Sequence, residues 1–145
     1  MGEGEGTRRS ASEESRWWAE QCVEVVRGTV NKELDFTPES LKLLDELIDA
    51  RWSKDMFKNV KIGDEHNPSS IALTSSVLLF GSYFGSVLAR NLGGRWEERG
   101  RSPLSCWVNL GEGLAINTYY LTRECFSEPS KLYPSFDMMK VVSLV

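Results

Sequence analysis

LLFGSYFGSVLARNLGGRW, residues 78–96, is the most informative stretch of the chain. Its first half overlaps a segment, from Asn67 to Ala89, that contains no charged residue and is long enough for a helix to span a bilayer. When residues are placed at intervals of about 100°, the large apolar side chains fall on one half of a helix. The serines fall on the other half, together with Tyr83 and Arg90. This separation predicts an amphipathic helix of a soluble domain rather than a membrane span.

Two glycines, Gly81 and Gly85, lie one helical turn apart within this segment. Because a missing side chain allows close approach, we expect another helix or a sheet to pack against them. Gly93 and Gly94 follow the last apolar turn, which predicts a left-handed cap at the end of the helix. Glycines in that position do not predict a phosphate-binding loop, since such a loop precedes the N-terminus of a helix.

A first helix is expected to begin near Ser10 or Ser12. Ser10 and Glu13 have the spacing of a capping box, in which each side chain binds a free backbone amide of the first turn. The residues that should face the core recur at helical spacing: Trp18, Cys22, Val25, Val26 and Thr29.

A second helix is expected to begin at Thr37, the predicted N-cap, with Pro38 in its first turn. Its predicted buried stripe is Leu41, Leu44, Ile48 and Trp52. Its predicted solvent-facing acids are Asp45, Glu46 and Asp49. A loop is expected between this helix and the uncharged segment.

After Gly94 the apolar pattern changes to a period of two residues. This period predicts strands over residues 95–99, 105–110 and 114–122, with turns at residues 100–103 and 111–113. A break is expected at Glu128 and Pro129, and a short helix near residues 135–142. The apolar ending VVSLV also fits a strand.

The predicted fold is therefore α+β, with three N-terminal helices packed on a three-stranded antiparallel meander and a short C-terminal helix. A length of 145 residues suits a single domain over residues 11–145. Residues 1–10 are rich in glycine and glutamate, and we expect them to form a disordered tail.

The charge and the cysteine content disfavour some classes of protein for this sequence. A net charge of −4 disfavours non-specific nucleic-acid binding, which requires a dense positive surface. Cys22, Cys106 and Cys125 are widely spaced and form no C-x-x-C motif, so we expect reduced, buried thiols. Because the N-terminus also lacks the apolar core of a secretory signal, a cytoplasmic location is predicted.

The segment from Phe80 to Trp96, followed by a predicted strand pair and by Ala115-Ile-Asn-Thr118, resembles a pattern in a family of uncharacterised bacterial domains. In that family a helix of the form lGxylGevlxrxlGgxW precedes a small sheet, and the resemblance covers roughly residues 70–120. A proline commonly follows the position of Asn117 there, whereas this chain has Thr118. Because the motif consists of glycine and tryptophan, the resemblance implies a fold and no activity.

No group of residues predicts catalysis. His66, the single histidine, lies in a loop pattern whose neighbouring acids are too close in sequence to form a rigid metal site. Cys106 lies on the apolar face of its strand, and Cys125 follows Glu124, so neither environment favours a thiolate. We therefore expect no catalytic residue, no metal and no cofactor.

The candidate binding residues are polar or aromatic. Ser82, Tyr83, Ser86 and Arg90 share the polar half of the central helix, and Arg95 follows its end. Serines are unusual on a solvent-facing helix surface, since glutamate or lysine forms helices better. Three explanations remain open: this face is covered by another part of the chain, it binds a partner, or it forms a pocket in which an arginine binds an anion.

The predicted sheet supplies the remaining candidates. Asn117 and Tyr119 share one face of the predicted third strand. Trp107 alternates away from the apolar face of the second strand, with Tyr119 and Arg95 as expected neighbours. Tryptophan and arginine on an open sheet face are typical of protein interfaces.

The preferred hypothesis is a small cytosolic, non-catalytic protein-binding or regulatory module, whose partner is another protein or a second copy of this chain. An immunity-like role is compatible with this hypothesis. The alternative is a protein or enzyme that binds a small anion in a pocket around Arg90, Arg95 and Asn117. Neither nucleic acid nor a membrane is an expected partner.

Overall fold

A computed structural model describes residues 9–143 of the chain, and these residues form an α+β domain. Within this range there are five α-helices and one three-stranded sheet. The helices are α1 (Ala11–Val30), α2 (Ser40–Arg51), α3 (Pro68–Leu92), α4 (Thr118–Cys125) and α5 (Leu132–Ser143); the strands are β1 (Arg95–Glu98), β2 (Cys106–Gly111) and β3 (Leu114–Ile116). The predicted disordered tail falls mostly on residues 1–8, which lie outside the described range.

The sheet is an antiparallel meander in the order β1-β2-β3, as predicted. Trp96 pairs with Val108, and Glu97 pairs with Trp107. The tight turn between β2 and β3 is built on left-handed backbone at three consecutive residues, Gly111, Glu112 and Gly113.

The predicted third strand is too long. β3 ends at Ile116, and Asn117 is the N-cap of α4: its side-chain oxygen accepts the backbone N–H groups of Tyr119 at 2.9 Å and Tyr120 at 3.0 Å. These two bonds satisfy amides that the first turn of a helix leaves free. The β-branched and aromatic residues that follow Asn117 are therefore helical, although their composition favours a strand.

The central part of α3 is buried on every side. Every residue from Phe80 to Leu88 is buried, because α1 and α4 both pack against this helix. By length and composition α3 could cross a membrane, with a mean hydropathy of 1.6 over its most apolar window, yet 61% of that window is buried inside the domain. Burial of this kind is typical of the core helix of a folded domain.

Gly81 and Gly85 allow the close packing that their spacing predicted. A β-carbon at Gly81 would lie 2.7 Å from a ring carbon of Tyr119 in α4. A β-carbon at Gly85 would lie 2.6 Å from Cζ2 of Trp96 in β1 and 3.0 Å from the hydroxyl of Thr118. Both glycines thus bring elements that follow in the chain into contact with the axis of α3.

Helix α1 begins with the predicted capping box. The N–H of Ser10 donates to Glu13 Oε1 at 2.8 Å, and the N–H of Glu13 donates to Ser10 Oγ at 3.2 Å. The predicted core stripe is only partly correct, since Val25 and Thr29 are exposed. The buried positions instead recur at spacings of three and four residues: Ala11, Ser15, Ala19, Cys22, Val23 and Val26.

Helix α2 begins at Ser40, after a tight turn that starts at Thr37. Of its predicted apolar stripe, Leu41, Leu44 and Ile48 are buried, whereas Trp52 is half-buried just beyond the helix end. Asp45, expected in solvent, is only 8% exposed. Its carboxylate accepts the N–H groups of Leu132 at 2.7 Å and Tyr133 at 2.9 Å, and so caps the N-terminus of α5. Because Leu132 is already helical, α5 begins earlier than predicted, and it continues through Ser143, which excludes the alternative strand over residues 141–143.

Candidate functional site

Two of the candidate residues, Ser82 and Tyr119, belong to a buried hydroxyl chain. The hydroxyl of Tyr119 donates to Ser15 Oγ in α1 at 2.6 Å and lies 2.7 Å from Ser82 Oγ in α3. Since a phenol has a single proton, Ser82 is the donor in the second bond. Burial raises the pKa of Tyr119 to about 12. This chain therefore joins α1, α3 and α4 through neutral groups inside the core.

Tyr83 has a similar structural role. Its hydroxyl accepts the N–H of Phe36 at 2.8 Å and lies 2.6 Å from Ser40 Oγ. Ser40 donates its own proton to the carbonyl of Thr37, so Tyr83 is the donor to Ser40. Ser82 and Tyr83, on the predicted polar face of α3, are thus covered by this chain itself, which is the first of the three explanations, whereas Arg90 is exposed.

Arg90 emerges from α3 at the surface. Its guanidinium lies 3.6 Å from the ring centroid of Phe36, whose other face stacks on Tyr83. Phe36 has a φ of +61°, an unusual conformation for an aromatic residue. Its N–H and carbonyl are both engaged, by Tyr83 and Asn91, which holds the connection between α1 and α2 on α3.

Ser86 and Arg90 line a cleft between α1 and α3, with a volume of about 490 Å³. We call this the α1–α3 cleft; the residues that define it are Arg9, Arg16, Trp17, Ser86, Arg90 and Trp96. Among the predicted residues it contains only Ser86 and Arg90. The cleft exists because Ala19 and Ala89, where the two helices face each other, have small side chains.

Trp107 lies on the sheet face turned away from α3, as expected. Strand register places Glu97 beside Trp107 and Arg95 beside Asn109 on this face. The guanidinium of Arg99 stacks over the indole of Trp107 at 4.2 Å and donates to Glu97 Oε1 at 2.9 Å. Trp107 therefore contacts Arg99 rather than the expected Tyr119, because Tyr119 belongs to a helix and points into the core.

An apolar groove of about 450 Å³ adjoins Trp107 at the free edge of β3. We call it the Trp107 groove, and it is defined by Trp107, Ile116, Tyr120, Leu121 and Met139. Asn117 also lies at this groove, but its side-chain oxygen is committed to capping α4. The described lining contains no charged side chain.

The expected pocket around Arg90, Arg95 and Asn117 is not formed. Arg90 lies at the α1–α3 cleft, Arg95 on the outer face of the sheet and Asn117 at the start of α4. The physical reason is the helix that replaces the end of the predicted third strand, since it turns residues 117–125 away from the sheet.

The cysteines are held in their protonated form. All three are buried, and burial raises the pKa of each thiol, that of Cys125 to about 12. A nucleophilic cysteine requires the opposite shift. His66 is exposed in the loop before α3, and no group of three His, Cys, Asp or Glu side chains in residues 9–143 has the arrangement of a metal site.

Comparisons with family models, curated proteins and solved structures find no match for this chain. The resemblance of residues 70–120 to bacterial domains therefore stays a prediction. The α1–α3 cleft and the Trp107 groove are the two surfaces that contain candidate residues predicted from the sequence.

Both surfaces contain residues that sequence reasoning missed. The packing of α1 across α3 brings Arg90 together with Arg9, Arg16 and Trp17. No spacing in the sequence indicates that these residues meet. The predicted third strand includes Tyr120, so this prediction did not indicate that the side chain is exposed on a helix beside the groove. The detectable signal was Asn117, since an asparagine before residues buried at intervals of three and four is typical of a helix start.

Proposed function

We propose that the protein is a small, non-catalytic protein-binding module of the cytoplasm, and that it holds its partner in the Trp107 groove. In this proposal the three N-terminal helices and the meander form a rigid scaffold, and the groove is the recognition surface. The observation that carries the proposal is the exposure of Tyr120, a large aromatic side chain 65% accessible at the rim of an uncharged groove.

The composition of the groove supports this role. Aromatic residues and methionine are enriched at protein interfaces, and lysine and glutamate are depleted. Methionine also adapts its shape to an apolar partner. On a helical projection of α5, Met138 and Val142 lie on the same flank as Met139, and both are exposed. The apolar surface therefore extends from the groove along α5.

The charges around the groove define the partner. Arg95 and Arg101 are exposed on the adjoining sheet face and loop, whereas Arg99 pairs with the acid on that face, Glu97, which Asn109 also binds. These bonds hold the pKa of Glu97 below its usual range. A positive rim on a protein of net charge −4 complements an acidic partner. We therefore expect the occupant to be a helical segment of another protein, with large apolar residues flanked by Asp and Glu.

A displayed library of helical peptides, panned against the immobilised protein, tests the proposal. We expect the selected peptides to carry apolar anchors one turn apart with acidic residues beside them. Tyr120→Ser should weaken their binding about tenfold or more, since an exposed aromatic anchor is a typical hot spot. Ile71→Ser is the matched control, because Ile71 is also an exposed apolar residue but lies on α3.

Two results would overturn the proposal. One is equal binding of the selected peptides to wild type and to Tyr120→Ser. The other is a dimer of the wild-type protein in light scattering that Tyr120→Ser dissociates, because the groove would then hold a second copy of this chain. Circular dichroism of both variants establishes that they are folded.

A further inference from the structure

The floor of the α1–α3 cleft contains a serine whose hydroxyl no described residue binds. Ser86 as a residue is only 6% exposed, but its Oγ is open to the cleft rather than buried, and it has no hydrogen-bond partner within residues 9–143. The buried serines Ser15, Ser40 and Ser82 are all paired with tyrosine hydroxyls. The Ser86 hydroxyl instead lines the cleft, where it is available to a polar atom of an occupant.

The charges of the cleft favour an anion. Arg9 and Arg16 form no ion pair with any residue in the described part of the chain, although the guanidinium of Arg9 lies 4.7 Å from the ring centroid of Trp17. Arg90 forms a long ion pair with Glu20, at 3.6 Å. Of the two acids at the cleft, Glu13 is engaged in the capping box at the start of α1. Three guanidinium groups and two carboxylates leave one net positive charge, which suits a monoanion better than a doubly charged phosphate.

The walls of the cleft favour a flat apolar body. The indoles of Trp17 and Trp96 line it together with Ala19 and Ala89. Trp96 is held in place by its stack on Tyr119, with ring centroids 6.1 Å apart, so this wall exists before any ligand binds. A volume of about 490 Å³ is within the range of small-molecule sites.

We infer that the α1–α3 cleft binds a small aromatic monocarboxylate. In this inference, the guanidinium of Arg16 pairs with the carboxylate through two parallel hydrogen bonds, because Arg9 lies over Trp17 and Arg90 over Phe36. The ring packs against an indole, and the Ser86 hydroxyl donates to the ligand. The site is independent of the Trp107 groove, which lies at the other side of the sheet.

A titration with benzoate, followed by NMR of the five tryptophan indole N–H groups, tests the inference. We expect benzoate to shift the signals of Trp17 and Trp96 and to leave those of Trp52 and Trp107 in place. Benzyl alcohol, which keeps the ring but lacks the charge, should cause less than a tenth of the shift at the same concentration. Inorganic phosphate should not displace benzoate.

Four variants sharpen the test. Arg16→Gln should raise the dissociation constant about tenfold, because it removes the charge-assisted pair of hydrogen bonds, and Ser86→Ala about threefold, because it removes a single neutral hydrogen bond. Arg51→Gln, which removes an exposed arginine at the end of α2, is the matched control and should change nothing. Tyr120→Ser should also leave benzoate binding intact, which separates this inference from the proposed protein-binding role.

The inference fails if Arg16→Gln binds benzoate as tightly as wild type, or if the signal of Trp107 shifts in step with that of Trp17. Displacement of benzoate by phosphate at equal concentration would overturn the assignment to a monocarboxylate. Because Arg16 is exposed and outside the core, its variant remains folded and the result is decisive.

Discussion

The indole of Trp96 occupies the space that Gly85 leaves free on α3. A β-carbon at Gly85 would lie 2.6 Å from Cζ2 of this indole, closer than real side chains approach. The contact joins the central helix to the first strand and forms one wall of the α1–α3 cleft. Gly85 is therefore required by its neighbour rather than by its own backbone conformation.

Gly85→Ala should destabilise the domain by about 1–3 kcal/mol, because the added methyl group overpacks a rigid ring. Gly28→Ala is the matched control: Gly28 is also within a helix, and nothing lies within 4 Å of its missing β-carbon. It should stabilise the domain by about 0.5–1 kcal/mol, since alanine favours helix. Urea denaturation measures both changes. An unchanged free energy of unfolding in Gly85→Ala would contradict the close contact between Gly85 and Trp96.

Tyr119→Phe should lower the free energy of unfolding by about 1–3 kcal/mol, because two buried serine hydroxyls lose their common partner. The serines are Ser15 and Ser82. Tyr120→Phe removes a hydroxyl from the next residue, which is exposed, and should have no measurable effect. Thermal unfolding of the two variants provides the comparison; equal melting temperatures would show that the hydroxyl chain contributes nothing.

Asp45→Asn should destabilise the domain by about 1–2 kcal/mol at neutral pH, since an amide offers one acceptor where the carboxylate caps two N–H groups of α5. Burial raises the pKa of Asp45, so the folded state takes up a proton more readily than the unfolded chain. The stability that Asp45 confers is therefore constant at high pH. It increases as the pH falls through the raised value towards about 3.9, the value in unfolded chains.

Urea denaturation of wild type and Asp45→Asn at several pH values checks this sign. The difference in unfolding free energy between the two proteins should widen on acidification. A difference that narrows would mean that the carboxylate is stabilised in its charged form.

The three thiols should react slowly with a disulfide reagent at pH 8 while the protein is folded, and rapidly in denaturant. Their burial both blocks access and raises the pKa of each thiol. The labelling rate in the folded state should follow the rate of unfolding. Fast modification of one thiol while the protein is fully folded would contradict the burial of that residue.

The parts of the fold that could be predicted from the sequence are those with local signals. The capping box at Ser10, the glycine at the end of α3 and the turn at residues 111–113 each depend on neighbouring residues, and each is confirmed. The packing role of Gly81 and Gly85 was also predictable, because their spacing places them on one side of a helix.

The errors arose where distant residues decide the structure. Asp45 is buried because it caps a helix that begins at Leu132, and no local pattern contains that information. The residues after Asn117 favour a strand by composition, yet packing of Thr118 and Tyr119 against α3 stabilises a helix there. For the same reason Ser82 and Tyr83, on the predicted polar face of α3, proved to be internal.

The enclosure of α3 also has a consequence for synthesis. Helix α1 precedes α3, but Trp96, Thr118 and Tyr119, which cover Gly81 and Gly85, are translated after it. When a nascent chain has emerged from the ribosome only as far as Leu92, the most apolar helix of the domain is therefore exposed without the residues that later pack against it. Until α4 emerges, that surface is a substrate for chaperones and a starting point for aggregation, so a product truncated before Tyr119 should be degraded rather than accumulate.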